Sequence, residues 1–266
     1  TGGGFKKFCN NETDISDASR PIKASEVEMC ARNRVEYVEL PVAVDGLTVM
    51  VQPDNGFAQC VTVEELHTMW APEAEDEVTH WNQVRPGWPD KPLNLYGPGV
   101  DSGTFDYFTE VVNGKAQASR GDYTASEDDN VLVQGISGDK NSLGFFGYAY
   151  YTENADRLKA VTVDGGAGCV GPSDETIGDG TYHPLSRPLF IYVRQEAGDQ
   201  AYIKEFVRYY LSEEGWKLVA EVGYIPYPPQ VYELALARFE NSRTGTLFGG
   251  GAPQRGSVEE VLAANQ

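Results

Sequence analysis

The chain has 266 residues, enough to bury a large core as one or two domains. It carries 40 acidic against 21 basic side chains, a formal charge of −19, which argues against nucleic acid or an anionic membrane surface as partner. No run of about 18 apolar residues exists, so no transmembrane helix is expected, and no signal peptide is read in the sequence.

The chain opens on Thr1-Gly-Gly-Gly-Phe-Lys-Lys-Phe8, read as a glycine loop entering a basic helical turn. Thr13 to Lys23 is dense in short polar side chains and ends in Ser19-Arg20-Pro21, ahead of a helix over 25–32. Residues 37–44 and 46–52 read as two consecutive strands. Residues 61–70 have helical spacing, with Thr62 as N-cap. Residues 82–92, rich in Pro, Trp and Gly, read as loop. The apolar run Leu93, Leu95, Tyr96 stops at Gly97-Pro98-Gly99, and Phe105 to Val112 is helical.

An acidic stretch over 122–130 leads into a helix at Val131, and a glycine-bounded strand covers 142–148. Val161–Val163 is a short strand, and 165–171 a loop tied through Cys169. Pro188–Arg194 is a buried strand. Residues 201–213 form an amphipathic helix on which Tyr202, Phe206, Tyr209 and Tyr210 are expected to pack into the core. A further helical region over 216–222, a Pro-rich break and a helix over 231–241 complete the described run. Helices alternating with short apolar strands imply an α/β protein.

Cysteine usage addresses compartment. Cys9, Cys30, Cys60 and Cys169 lack C-x-x-C spacing, and His67, His80 and His183 form no ligand cluster, so no metal site is expected. Paired disulfides in an oxidising compartment fit better than four buried thiols. Three pairings are open; Cys9–Cys30 with Cys60–Cys169 is our expectation.

The segment Tyr96-Gly-Pro-Gly-Val-Asp-Ser-Gly-Thr-Phe-Asp-Tyr-Phe108 is the most informative. It reads as strand, tight loop and helix N-terminus, where unpaired N–H groups and the positive dipole end favour an anion. Ser102 and Thr104 add hydroxyl donors and Gly103 permits close approach. The plainer reading is that Asp101 or Ser102 caps the helix.

Taken in order, Thr1-Gly-Gly-Gly-Phe-Lys-Lys-Phe, Asp14-Ile-Ser-Asp-Ala-Ser-Arg-Pro, Asp45-Gly-Leu-Thr-Val, the Tyr96 segment and Asn141-Ser-Leu-Gly-Phe-Phe-Gly-Tyr resemble the phosphate-binding proteins of bacterial ABC-type phosphate transporters, over nearly the whole chain. The resemblance implies a type II periplasmic-binding-protein fold, two α/β lobes around a ligand cleft, with lobe I at 1–44 plus 187–266 and lobe II at 45–186. It implies high-affinity binding of inorganic phosphate outside the cytoplasmic membrane by a monomer, periplasmic or extracellular and in some cases membrane-anchored. It also implies delivery to a membrane permease. The family carries an earlier strand and helix whose loop also touches phosphate; this sequence opens at the later glycine loop, so it reads either as a fragment or as a chain from which that piece was lost or not placed, and that wall of the site is not expected within it.

By the same resemblance, Thr1, Asp17, Arg20, Ser102, Gly103 and Thr104 are expected to bind phosphate. Asp17 would accept a hydrogen bond from a phosphate proton, which sulfate lacks. Many members place an arginine just before the glycine loop; here Gly97-Pro98-Gly99 stands there. Arg20 is the natural substitute and Arg120 a second candidate. Asp101 is expected to orient the arginine or cap the helix. An extracellular adhesive or sensory module is the alternative. A phosphatase is disfavoured, since a metal phosphatase needs a His and carboxylate cluster. No cofactor is expected.

Overall fold

The computed structural model describes residues 1–248 and 258–265. Internal contacts divide the chain into two units, one made of 1–45 with 187–266 and the other of 46–186. None of the described helices is long and apolar enough to cross a membrane.

The first unit begins with helix Gly2–Cys9, so the three glycines form the first helical turn rather than a loop. Tertiary packing overrides their poor helix propensity. Phe5, Phe8 and Cys9 are fully buried, and Phe5 meets Tyr192 edge to face at 4.7 Å between ring centroids. Lys6 and Lys7 lie in the last turn, where they complement the helix dipole. Cys9 is disulfide-bonded to Cys30, tying this helix to helix Ala24–Arg32.

Between them, Ile15–Ala18 forms a strand within the stretch of short polar side chains. Its burial alternates with period two: Ser16 and Ala18 are buried and Asp17 is exposed. It pairs antiparallel with Ser186–Arg194, placing Asp17 opposite Ile191. The Ser186–Arg194 strand lies in turn beside Tyr37–Val51. That strand is one continuous run of fifteen residues where two were expected. Gly46 does not break it: a Cβ there would lie 2.6 Å from Ile177 Cδ1, so glycine serves close packing, not a turn.

Within this unit Glu39 is fully buried and hydrogen-bonded. Its carboxylate accepts from Tyr192 Oη at 2.6 Å, from Thr246 Oγ1 at 3.0 Å and from the Leu247 N–H at 2.7 Å. These bonds meet the requirement that a buried polar group be paired. Burial still pushes the Glu39 carboxyl above its usual range, despite them.

One prediction fails here. On helix Ala201–Tyr210, Ile203 and Val207 face the core, while Tyr202, Phe206 and Tyr209 are 63%, 46% and 52% exposed. Aromatic rings give that side a strong apolar signal, but the aliphatic pair is what the helix buries. Phe206 and Tyr209 instead border a groove of about 600 Å³, with Leu218 and Val222 of the helical region after Glu213 on another side.

In the second unit, Leu47–Val51 pairs antiparallel with Ser142–Gly147, which runs parallel to Asn94–Gly97, itself parallel to Thr124–Ala125. A small second sheet joins Cys60–Thr62, Thr162–Asp164 and Cys169–Val170, and the Cys60–Cys169 disulfide spans its outer strands. Helix Val63–Trp70 starts at Thr62, whose Oγ1 accepts from the Glu65 N–H while Glu65 accepts from the Thr62 N–H. Trp70, Phe108 and Phe145 form an aromatic cluster, with Phe108 stacked on Phe145 at 3.7 Å. That cluster fixes helix Gly103–Asn113 so that its first turn follows the end of strand Asn94–Gly97.

Candidate functional site

In the first unit, Thr1, Asp17 and Ser19 line the groove described above, together with Tyr210. Thr1 Oγ1 accepts from the Ser19 N–H at 3.1 Å and shares a 2.8 Å hydrogen bond with Ser19 Oγ. Ser19 is a residue that sequence reasoning passed over; its place in Ser-Arg-Pro carried no signal beyond polarity. The Asp17 carboxylate takes no hydrogen bond from another described side chain, and partial burial in the groove raises its pKa.

Arg20 is engaged differently from the expectation. Its Nη1 and Nη2 donate to the two carboxylate oxygens of Glu26, each at 2.8 Å, and Nη1 also donates to Pro21 O at 3.0 Å. Its guanidinium lies over the Phe5 ring at 5.4 Å. Glu26 in turn accepts from the Lys23 N–H, capping helix Ala24–Arg32. Burial pushes Glu26 up, but the hydrogen bonds from Arg20 and the Lys23 backbone bring it below the usual range. The bidentate fork expected for an anion is therefore closed on a carboxylate of the same unit.

In the second unit the loop after Gly97 turns tightly, with the Ser102 N–H donating to Gly99 O at 3.1 Å. Ser102 is the N-cap of helix Gly103–Asn113, its Oγ accepting from the Thr104 N–H at 3.2 Å. The capping reading thus holds for Ser102. Gly103, the first helical residue, is exposed, and Thr104 is half-buried. The first turn of such a helix presents N–H groups and a positive dipole end to a small anion. Asp101 is exposed, and its N–H donates to Glu127 Oε1 at 3.4 Å. Asp101 itself neither caps this helix nor pairs with an arginine among the described residues.

Arg120 has to be corrected. It is buried, 4% exposed at the side chain, and its Nε and Nη2 form a bidentate pair with Asp122. Nη1 donates to Met69 O at 3.0 Å and to Val78 O at 2.9 Å. The hydrogen bond from Arg120 holds the Asp122 carboxyl down to about 2. The side chain staples three backbone segments and leaves no fork for a ligand.

Among the described residues the structure thus has a Ser102-capped helix start and no cluster of three or more metal-ligating groups. Residues 1–214 match the PBP superfamily domain. The PstS phosphate-binding protein of Staphylococcus haemolyticus is 37% identical over 235 residues, 88% of this chain and 72% of that protein. This chain belongs to the PstS family of that superfamily. Its family likeness is stronger still to protein SphX of Synechocystis, 51% identical over 263 residues, 98% of this chain and 78% of SphX. Among solved structures, a possible phosphate binding protein of Planctomyces limnophilus is 50% identical with a TM-score of 0.84, over 91% of this chain and 85% of that one. The family fold is the type II periplasmic-binding-protein fold.

Proposed function

We propose that the protein binds inorganic phosphate outside the cytoplasmic membrane, as a monomer, and delivers it to the membrane permease of an ABC-type importer. The observation that carries this reading is the Ser102-capped helix start in a chain of the PstS family, whose named relatives are phosphate-binding proteins. In this reading Ser102, Gly103 and Thr104 donate to phosphate, Thr1 donates as well, and Asp17 accepts from a phosphate proton. Arg20 contributes only by giving up a bond to Glu26, a competition that makes it the weakest member of the set.

Charge-assisted hydrogen bonds are worth about 1.5–3 kcal/mol each, so a few of them support binding of about −8 kcal/mol, in the micromolar range. Isothermal titration of the protein with phosphate, with sulfate as competitor, tests the reading. Phosphate binding that sulfate displaces only weakly supports it; no heat with phosphate, or equal affinity for both anions, refutes it. The same preparation should release no phosphate from a generic phosphate ester, which separates binding from phosphatase chemistry.

A further inference from the structure

The segment after Gly121 clamps the loop that precedes helix Gly103–Asn113. Tyr123 Oη donates to Pro98 O at 2.9 Å, and the Ser126 N–H donates to Gly97 O at 3.2 Å. Strand Thr124–Ala125 pairs with Tyr96–Gly97. The next residue, Glu127, turns its carboxylate onto the loop. Its Oε1 lies 3.4 Å from the Asp101 nitrogen, and a Cβ built at Gly99 would fall 2.1 Å from that same oxygen. Residue 99 must therefore be glycine for the carboxylate to rest there.

No described lysine or arginine forms an ion pair with Glu127. The ionisable groups facing it are Asp101 on the loop, Asp128 and Asp129 beyond it, and Tyr123 of the clamp. After burial, its charge is a further cause of the raised pKa of Tyr123, and with Asp128 it acts likewise on Asp129. An acidic side chain thus sits, without a cationic partner, against the loop that leads into the Ser102 cap.

We propose that Glu127 is a second acidic selectivity determinant of the anion site, held against the Gly99–Thr104 loop from the clamping segment after Gly121. The inference rests on the phosphate reading above. A carboxylate beside a bound tetraoxo anion repels it at a separation of a few ångströms. An anion that keeps a proton can turn that repulsion into an O–H···O hydrogen bond; sulfate cannot. Glu127 thereby favours protonated phosphate over fully ionised anions.

Glu127→Gln removes the charge at an exposed position and leaves Asp128 as the cap of the following helix. Phosphate and sulfate are each titrated into the unaltered protein and the variant by calorimetry at pH 7. The expected result is a fall of about tenfold or more in the ratio of sulfate to phosphate dissociation constants. A residue that merely braced the loop would weaken both anions alike, so an unchanged ratio in E127Q, with phosphate bound normally by the unaltered protein, overturns this inference alone. Failure of the unaltered protein to bind phosphate overturns the phosphate reading and this inference with it.

Discussion

Asp45 and Arg187 are joined where the chain leaves and re-enters its first unit. Arg187 Nε and Nη2 donate to Asp45 Oδ2 at 3.0 and 2.9 Å, and both side chains are about five-sixths buried, at 15% and 16% exposure. Asp45 lies on strand Tyr37–Val51 and Arg187 on strand Ser186–Arg194, so one ion pair pins both crossing strands. Removing one partner of a largely buried pair strands the other charge. Asp45→Ala is expected to cost about 2–3 kcal/mol in urea unfolding, and the Asp45→Leu, Arg187→Met double change less than the two single changes combined. Additive costs would show that the pair is not coupled.

Arg120 acts in folding. Arg120→Met leaves Asp122 and the carbonyls of Met69 and Val78 without their donor, and should cost about 3–5 kcal/mol. Arg120→Lys keeps a charge but not the fork, and should cost less while leaving phosphate affinity within about twofold. Loss of phosphate binding in a folded Arg120→Lys protein would return this residue to the ligand set.

Asp17 links selectivity to stability. Asp17→Asn should lower the preference for phosphate over sulfate by about tenfold, equivalent to about 1.4 kcal/mol, because the amide can also donate to sulfate. Its folded-state pKa is raised by burial, so the folded protein holds the Asp17 proton more tightly than the unfolded chain. Ionised Asp17 therefore opposes folding at neutral pH, and that penalty disappears as pH falls below the ordinary aspartate value. Asp17→Asn should be the more stable protein at pH 7, with the gap closing towards pH 4; urea midpoints at the two pH values check the sign.

The two disulfides close loops of different length. Cys60–Cys169 spans 109 residues and Cys9–Cys30 spans 21. Chain-entropy estimates give about 5 and about 3 kcal/mol respectively. Paired serine substitution at Cys60 and Cys169 should thus lower the urea midpoint of the second unit more than substitution at Cys9 and Cys30 lowers that of the first. The reverse order would show that native packing, not loop closure, dominates.

Ser102→Ala combines a cap and a donor. Loss of the cap should cost about 1 kcal/mol of stability. A larger loss in phosphate affinity than in stability, measured by calorimetry beside thermal unfolding, is expected if the hydroxyl also meets the anion.

Local pattern was legible in the residues alone. Thr62 marked a helix start, continuous apolar runs marked the buried strands, and Ser102-Gly103-Thr104 marked a capped helix after a tight turn. Those signals lie within a few residues of one another, because backbone geometry and capping are short-range. What needed the tertiary structure was partnership. Arg20 looked like an anion ligand until Glu26 closed on it, and Arg120 until its donors met Met69 and Val78. The aromatic side of Ala201–Tyr210 looked buried because a helical stripe reveals only that apolar residues share a face, not that another element covers it. Tyr37–Val51 ran on through Gly46 because Ile177 packs where a Cβ would have been. Glu127 gave no local sign at all, since its carboxylate reaches Asp101 from 26 residues away. Hydrogen-bond donors and charges are named by the sequence, but which of them remain open to a ligand depends on which distant segments the fold brings against them.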